Sequence, residues 1–349
     1  MLLPVRTYEE IDKNMNDWFW RCLAYMIALF SMIMVGTNNA AGKEVRSLTQ
    51  AGEKERLRHL IPLPKEVKIE KMVRLRASEV ALQVPTRIVP ALKTATQLLK
   101  RMALGKEERS GFVIRLALLS EQQVTSPKDA IGKRLPLLPN KEQAYAITPQ
   151  ADRNGLLILA NADQGLLNAT RTLIQLLQLP REVHADTELS VPLVNIVDWP
   201  DLAERGQWGG NSANDLAWTS QWKLNVVEAG STDPAIFKQA AELGVKIVPF
   251  ISHLEQIPIP AEFKNEQDII RKLDPSKPLP SDYRPGLCMS SPMTRKLIEK
   301  WLEARARITG VIDISVWLSE DAAPCFCEQC KGKEPYRLEV EAILGLSQR

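Results

Sequence analysis

Two adjacent acidic residues near the end of the chain, Glu320 and Asp321, are the side chains most able to do chemistry. A pair of carboxyl groups can supply a general acid and an ionised partner, because burial and neighbouring charges can separate their pKa values. The residues before the pair, Val311–Leu318, are mostly apolar and include several β-branched side chains. This run predicts a buried strand. Since reactions in parallel α/β sheets and barrels occur at the carboxyl ends of strands, we expect an active site here.

Four cysteines form a second group with chemical potential. Cys325, Cys327 and Cys330 follow the acidic pair closely, and Cys288 lies earlier in the chain. A C-x-C-x-x-C cluster with a distant fourth cysteine suits a structural tetrahedral zinc site. Because the fifth cysteine, Cys22, falls in the N-terminal apolar run, an even number remains, which permits disulfides if the protein is exported. Free thiols are the third alternative. Either crosslink would hold rigid the loop that carries the acidic pair.

Composition excludes some classes of function. The chain has 349 residues and a net charge of +3, with the charges interspersed except in a basic segment, residues 43–76. Nucleic acid is therefore not the expected partner, because binding its backbone needs a concentrated basic surface. Only three histidines occur, which leaves little room for a multi-histidine catalytic metal site. No dinucleotide-binding or P-loop glycine motif follows a predicted strand.

The N-terminal segment, residues 1–42, predicts a signal peptide or a membrane anchor. It contains an apolar run, Cys22–Gly36, followed by small residues. Such a run is short for a membrane span and is typical of a signal-peptide core. A buried core helix is the alternative. We expect an exported protein, periplasmic, extracellular or membrane-anchored, that contacts a membrane only if this segment stays uncleaved.

The rest of the chain divides into four predicted parts. Residues 43–59 are expected to be a linker, 60–180 a small α+β accessory domain and 181–202 a proline-punctuated connector. Residues 203–349 contain four β/α repeats, which predict a parallel sheet. A doubly wound sheet and half of a (β/α)8 barrel both fit four repeats. The barrel is preferred, although about 150 residues remain for it against roughly 250 in a whole barrel.

Several stretches resemble glycoside hydrolase family 20, the β-N-acetylhexosaminidases. EQAYAIT…GLLILANADQGLLNATRTLIQLL, followed by VPLVNIVDWPDLAERG, is similar to that family's non-catalytic α+β domain and its first barrel strand, D-x-P-x-x-x-x-R-G. VPFISHLE and LCMSSPMTRKLIEKWLE are similar to the segments around the third and fourth strands of the hexosaminidase D branch. The resemblance covers about Leu60–Lys331 and depends on the order and spacing of these stretches. It implies a (β/α)8 TIM-barrel catalytic domain, present as about its first four β/α units, behind a small α+β domain.

The resemblance also implies a mechanism. In the family an Asp-Glu pair ends the fourth strand, where Glu protonates the leaving oxygen and Asp orients the substrate's acetamide as the nucleophile. This substrate-assisted route is an exception to the usual two-carboxylate mechanism. Here the order is reversed, within VWLSED where the family has H-x-G-x-D-E. We assign Glu320 as the acid and Asp321 as its partner, and solvated loop carboxylates are the alternative.

Further site residues follow from the same comparison. Arg205 matches the family arginine that binds sugar hydroxyls, and a surface ion pair is its alternative role. His253 with Glu255 lies past the third strand and could form a hydrogen-bond relay. Trp208 and Trp317, near strand ends, are candidates for stacking on a sugar ring.

These observations predict a glycosidase that removes terminal N-acetylhexosamine residues from a glycan. It would need no cofactor for catalysis, and zinc would be structural. Two alternatives stay open. One is another barrel glycosidase, such as an α-glucuronidase-like enzyme, and the other is a catalytically degenerate carbohydrate-binding surface protein.

Overall fold

The computed structural model describes residues 44–105, 111–121, 130–152, 154–177, 182–209, 212–251, 253–254, 257–263, 267–278, 286–320 and 323–347. The predicted leader, residues 1–42, lies outside these ranges, as do Glu255 and Asp321. The chain divides into two units, Met1–Glu44 and Val45–Arg349, and all elements below lie in the second except the first residue of β1. No helix in the described ranges is long and apolar enough to cross a membrane.

The first part of the described chain forms a seven-stranded mixed sheet, which we call the seven-stranded region. Its strand order is β1-β2-β7-β5-β6-β4-β3. The strands are β1 (Glu44–Ser47), β2 (Glu66–Arg76), β3 (Val80–Gln83), β4 (Phe112–Leu118), β5 (Tyr145–Pro149), β6 (Gly155–Ala160) and β7 (Glu188–Asp198). The helices of this region are α1 (Gln50–Leu57), α2 (Pro90–Met102), α3 (Ala130–Arg134) and α4 (Asp163–Leu177).

Two amphipathic helices, α2 and α4, build the core of this region against the sheet. Leu92 and Leu99 of α2 and Leu166 and Leu173 of α4 are fully buried in one apolar cluster with strand residues. Their spacing places each pair on one helix face. Pro90 begins α2, where its missing N–H removes no helical hydrogen bond. Both helices were predicted from this periodicity, and both predictions are confirmed.

The segment predicted as a connector, residues 181–202, contains β7, a central strand of the sheet. β7 pairs antiparallel with β2 from Glu188 to Val197 and with β5 from Ile196 to Asp198. Its apolar side chains are buried on both sides, which is why the strand forms despite Pro192. At Pro192 the β5 side of β7 has no partner strand in the described residues, so the proline occupies a position where it is tolerated. The connector interpretation was therefore wrong for this segment.

The segment predicted as a linker, residues 43–59, is also ordered onto the seven-stranded region. It forms β1 and α1, whose N-cap Thr49 accepts a hydrogen bond from the Gly52 N–H at 3.2 Å. Arg56 of α1 donates to the Leu176 carbonyl at 3.3 Å. The charged composition that suggested a linker therefore belongs to a helix with no buried residues of its own.

The remaining described residues form a four-stranded parallel sheet in the order β11-β10-β9-β8, which we call the four-stranded region. Its strands are β8 (Gly206–Trp208), β9 (Val226–Ala229), β10 (Lys246–Ile251) and β11 (Ser315–Val316). Its helices are α5 (Ala213–Gln221), α6 (Pro234–Leu243), α7 (Pro292–Ala306) and α8 (Pro335–Ser347). The predicted β/α alternation is confirmed. The sheet is open in the described residues, and no closed barrel is present there.

Local signals in the sequence fix the ends of these helices. Asp233 caps α6 by accepting from the Ala235 N–H at 2.9 Å, and Pro234 occupies the first turn. Gly244 ends α6 with φ of 70°, a left-handed conformation that glycine adopts without steric cost. These signals were the basis for predicting this helix.

The predicted strand Val311–Leu318 is much shorter in the structure, where only Ser315–Val316 pair with β10. Ile312 is 81% exposed, so the start of the apolar run is not buried. Among the described residues β11 is an edge strand, and nothing pairs with its outer side to extend it.

Candidate functional site

The carboxyl ends of the four parallel strands bring together side chains from every strand. Trp208 is the last residue of β8, Glu228 lies near the end of β9, His253 follows β10, and Trp317 and Glu320 follow β11. We call these five residues the carboxyl-edge site. Parallel strands that end at one edge place such residues side by side, although they are far apart in sequence.

Trp317 is the centre of the site. Its backbone N–H donates to the Ile251 carbonyl at 2.9 Å, which continues the β10–β11 pairing by one residue. Its indole N–H donates to Glu228 Oε1 at 2.8 Å. Because the indole has only this one donor, the bond fixes both the ring and the carboxylate. Glu228 was not singled out from the sequence, and its only signal was a carboxylate at the end of a short predicted strand.

Aromatic rings surround Trp317 on three sides. Its ring centroid lies 5.2 Å from that of Phe250 in a stacked arrangement, and 5.6 Å from that of Trp208. The imidazole of His253 meets it edge-on, also at 5.6 Å. These separations lie in the range of favourable aromatic pairs. Trp208 nevertheless remains 64% exposed, so the site presents an aromatic surface to solvent.

His253 and Glu320 form the polar part of the site. His253 Nε2 lies 3.8 Å from Glu320 Oε1, a distance that permits ion pairing but exceeds a direct hydrogen bond. The backbone of His253 is left-handed, with φ of 44°, and among the described residues its buried Nδ1 has no hydrogen-bond partner. Strained backbone conformations cluster at functional sites.

The loop after β11 is tied down on both sides of the Glu320 side chain. The backbone carbonyl of Glu320 accepts from the Tyr336 hydroxyl at 2.7 Å. The preceding residue, Ser319, donates its N–H to Glu339 Oε2 at 2.9 Å, and its hydroxyl donates to the same carboxylate. Glu339 is buried, so α8 holds this part of the loop while the Glu320 side chain stays 76% exposed.

Arg205, the predicted sugar-binding arginine, lies on the amino-terminal side of the strands and outside the carboxyl-edge site. Its guanidinium donates to Gln143 Oε1 at 3.0 Å, to the Leu202 carbonyl at 2.7 Å and to the Lys223 carbonyl at 2.8 Å. Burial lowers its pKa, an effect opposed by the negative charge of Asp198. Gln143 belongs to the seven-stranded region, whereas Lys223 precedes β9 of the four-stranded region. Arg205 therefore links the two regions at the amino ends of the parallel strands.

Of the other predicted site residues, the structure brings together Trp208, His253, Trp317 and Glu320. Glu255 and Asp321 lie outside the described residues. The predicted metal ligands also come together, in a separate cluster. The Sγ atoms of Cys288, Cys325, Cys327 and Cys330 all lie within 4.8 Å of one another. All four are free thiols in the structure.

Comparison with known proteins places these features in a mixed α/β class that contains glycoside hydrolases. Residues 57–199 match the family model for glycosyl hydrolase family 20, domain 2. The resemblance to this family expected from the sequence is thereby confirmed. A comparison with curated proteins gives no match.

Solved structures share the fold at low sequence identity. The chain is similar to a chitobiase from Flavobacterium johnsoniae, with 18% identity, a TM-score of 0.51, and coverage of 76% of this chain and 45% of that one. It is similar to an exo-β-N-acetylglucosaminidase from Vibrio harveyi, with 16% identity, a TM-score of 0.54, and coverage of 86% and 52%. A β-N-acetylhexosaminidase from Streptomyces coelicolor A3(2) gives 16% identity, a TM-score of 0.55, and coverage of 84% and 64%. The chain thus spans about half the length of the first two, and the likeness concerns the fold alone.

Proposed function

We propose that the protein is a glycoside hydrolase that removes terminal N-acetylhexosamine residues from a glycan by substrate-assisted hydrolysis. The observation that carries the proposal is the convergence of two tryptophans, a histidine and two glutamates at the carboxyl edge of a parallel sheet. Aromatic faces with a few directed polar groups are what a pyranose ring requires. The solved structures with this fold include one named as an exo-β-N-acetylglucosaminidase and one named as a β-N-acetylhexosaminidase, which supports the same substrate class.

In the proposed reaction each residue has a separate role. Glu320 donates a proton to the glycosidic oxygen, and Asp321, assigned from the sequence, orients the acetamide that attacks the anomeric carbon. His253 lies close enough to Glu320 to pair with it when protonated. Glu228, held by Trp317, accepts hydrogen bonds from sugar hydroxyls. Trp208 supplies the exposed stacking face.

The finer architecture that goes with this function is a (β/α)8 barrel, of which the four-stranded region forms the first half. The parallel order β8 to β11 and the helix after each strand support it. The site at the carboxyl edge also agrees with the position of active sites in such barrels. Export, with residues 1–42 as signal peptide or anchor, belongs to the same proposal.

A second candidate is a carbohydrate-binding protein without catalysis. A general acid works best when it is shielded from water, and the Glu320 side chain is 76% exposed. The reversed order of the acidic pair also moves the acid from the family position. Because misplacement by an ångström can cost about 100-fold in rate, binding could survive without turnover.

The test compares the protein as its gene encodes it with the variant Glu320→Gln on chromogenic N-acetylglucosaminide and glucuronide substrates. We expect turnover of the N-acetylglucosaminide, and a kcat reduced roughly 100-fold or more in the variant, because a general acid contributes about that factor. Glu341→Gln is the matched control, since this exposed glutamate of α8 pairs only with Arg337 among the described contacts.

The outcomes separate the alternatives. Turnover of the glucuronide alone would favour the α-glucuronidase-like enzyme. Binding of N-acetylglucosamine measured by calorimetry, without turnover of either substrate, would favour the degenerate binding protein. Absence of both binding and turnover would overturn the carbohydrate function itself.

A further inference from the structure

The four cysteines are arranged as ligands of one metal ion. Cys288 Sγ lies 3.8 Å from Cys327 Sγ and 3.7 Å from Cys330 Sγ. Four sulfurs around zinc, each at the zinc–thiolate bond length of about 2.3 Å, form a tetrahedron whose edges are about 3.8 Å. A disulfide would instead need a separation of about 2.0 Å. The spacing of the thiols thus fits a shared ion and not sulfur–sulfur bonds.

We propose that Cys288, Cys325, Cys327 and Cys330 bind one zinc ion as four thiolate ligands, and that this ion fixes the loop between β11 and α8. Binding releases the thiol protons to solvent as the four zinc–sulfur bonds form, with no change of oxidation state. Because protein sulfur fills all four positions, the ion has no open site for water or substrate. It is therefore structural, as in closed tetrathiolate sites.

The backbone around the cysteines supports the ligand set. The Lys272 N–H points at Cys325 Sγ, at 3.3 Å, and such contacts disperse the charge of a thiolate. The N–H groups of Cys330 and Lys331 donate to the Cys327 carbonyl at 3.1 and 2.9 Å. These bonds close a tight turn, and the Sγ atoms of Cys327 and Cys330 both lie in the cluster. The Cys288 N–H donates to the Ile269 carbonyl at 2.8 Å, so the distant ligand is also held by backbone contacts.

The surroundings exclude water from most of the cluster. Cys288, Cys325 and Cys330 are buried, and Cys327 is partly exposed. They lie in an apolar core with residues of β10, α7 and α8, including Ile251, Leu297 and Leu338. This apolar shell shields the thiolates from solvent and oxidants.

The site joins two segments whose described residues have little regular structure. Cys288 follows the described residues 267–278 and 286–287, in which the bridge between Ile270 and Leu287 is the sheet-like contact. The other three ligands belong to the β11–α8 loop, and Cys325 lies five positions after Glu320. Metal binding that crosslinks such segments contributes directly to folding free energy. The ion would then limit motion of the loop that carries Glu320, whatever reaction occurs there.

The first experiment measures zinc in the full chain, purified without added metal or chelator, by elemental analysis. We expect one zinc per chain, released in parallel with the reaction of the four ligand thiols during titration with a mercurial. Cys327→Ser, at the most exposed ligand, should lower the zinc content at least tenfold after dialysis, because losing a ligand weakens zinc binding more than losing an outer-shell partner does. Cys22→Ser, in a chain that keeps residues 1–42 and at the cysteine that is not one of the four proposed ligands, should leave it unchanged.

A second measurement does not depend on a variant that folds well. Cobalt substituted for the bound metal should give the absorption bands of tetrahedral tetrathiolate coordination. Hydrogen exchange in residues 315–331 should accelerate at least tenfold after chelation, while exchange in the seven-stranded region stays constant. Four freely reactive thiols without zinc, iron in place of zinc, or a mass four daltons lower from two disulfides would each overturn the proposal. None of these readouts uses glycosidase activity, so the zinc site can fail or stand independently of the proposed function.

Discussion

At the amino edge of the four-stranded sheet, the buried Lys223 and the half-buried Arg205 both donate to protein acceptors. Lys223 donates to Thr172 Oγ1 at 2.9 Å and to the Pro62 carbonyl at 3.3 Å, and Arg205 binds three acceptors. At the carboxyl edge, by contrast, the Glu320 side chain projects into solvent and Trp208 is largely exposed. The two edges are made by the same four strands.

We infer from this difference that side chains at the amino edge stabilise the fold and that side chains at the carboxyl edge are available for binding and catalysis. The cations of the amino edge, Lys223 and Arg171, are buried against other parts of the protein, whereas at the carboxyl edge Glu320 and Trp208 are exposed to solvent. The division is the one that parallel barrels follow, with stability at the amino end and reactions at the carboxyl end. Substitutions at the two edges should therefore affect different measurements.

The largest effect is expected for Asp198→Ala, which removes the acid of the amino-edge network. Asp198 accepts from the Tyr145 hydroxyl at 2.8 Å and from the Lys65 N–H at 3.1 Å, and its charge opposes the desolvation of Lys223. The variant loses two hydrogen bonds to a carboxylate, each worth about 1.5–3 kcal/mol, so the free energy of unfolding should fall by about 3 kcal/mol or more in urea titrations.

Asp201→Ala is the matched control, because Asp201 also contacts Lys65, at 2.6 Å, but is 74% exposed. Its loss should cost less than about 1 kcal/mol. Equal losses of unfolding free energy for the two variants would mean that the amino-edge network is not the stabilising feature we infer.

The next effect is a pH dependence of stability that comes from Lys223. Burial lowers the pKa of this lysine from 10.5 to about 8, although Asp198 opposes the shift. Arg205 and Arg171 add to it. Between about pH 8 and 10.5 the unfolded chain keeps a proton that the folded chain has released, so stability rises with pH there. Below pH 8 lysine is charged in both states, and the full burial cost remains.

The comparison is with Lys223→Met, which keeps a long side chain at the same left-handed backbone position, φ 62°. From pH 8 to 10.5 the unfolding free energy of the wild type should rise by up to about 3 kcal/mol relative to this variant. Parallel stability curves for the two proteins over this range would mean that Lys223 does not lose its proton in the folded protein before it does so in the unfolded chain.

Sequence patterns predicted many of the helices and strands, and they predicted the residues at the carboxyl edge of the four-stranded sheet better than those at its amino edge. Helices with capping residues and apolar periodicity, such as α6, follow from local interactions alone. Trp208, His253 and Trp317 could be placed at the carboxyl edge because His253 follows a predicted strand and the two tryptophans lie near the ends of predicted strands.

Features decided by tertiary contacts could not be read in this way. The sequence indicates that Arg205 precedes a strand, but the direction of its long side chain depends on acceptors such as Gln143, which belong to the other region. Glu228 lacks any local feature that distinguishes it from a solvated glutamate until Trp317 is brought beside it. The prolines around β7 suggested a connector, because proline is disfavoured inside a sheet. Pro192 is tolerated because β5 does not pair with β7 at that position, and this pairing cannot be read from local sequence.

The smallest effect on stability, and the sharpest test of the carboxyl edge, is expected for Trp208→Ala. Because Trp208 is 64% exposed, its truncation should change the free energy of unfolding by less than about 1 kcal/mol. Loss of an aromatic stacking face worth about 1–1.5 kcal/mol should weaken binding of an N-acetylglucosamine oligosaccharide roughly tenfold in calorimetric titrations. Trp218→Ala is the control, since Trp218 of α5 is also exposed, at 50%, but is absent from the ring contacts around Trp317. Both substitutions remove an exposed tryptophan, but only Trp208→Ala removes one from the carboxyl-edge site. If both variants bind the sugar as the wild type does, the aromatic surface of that site does not contact the ligand.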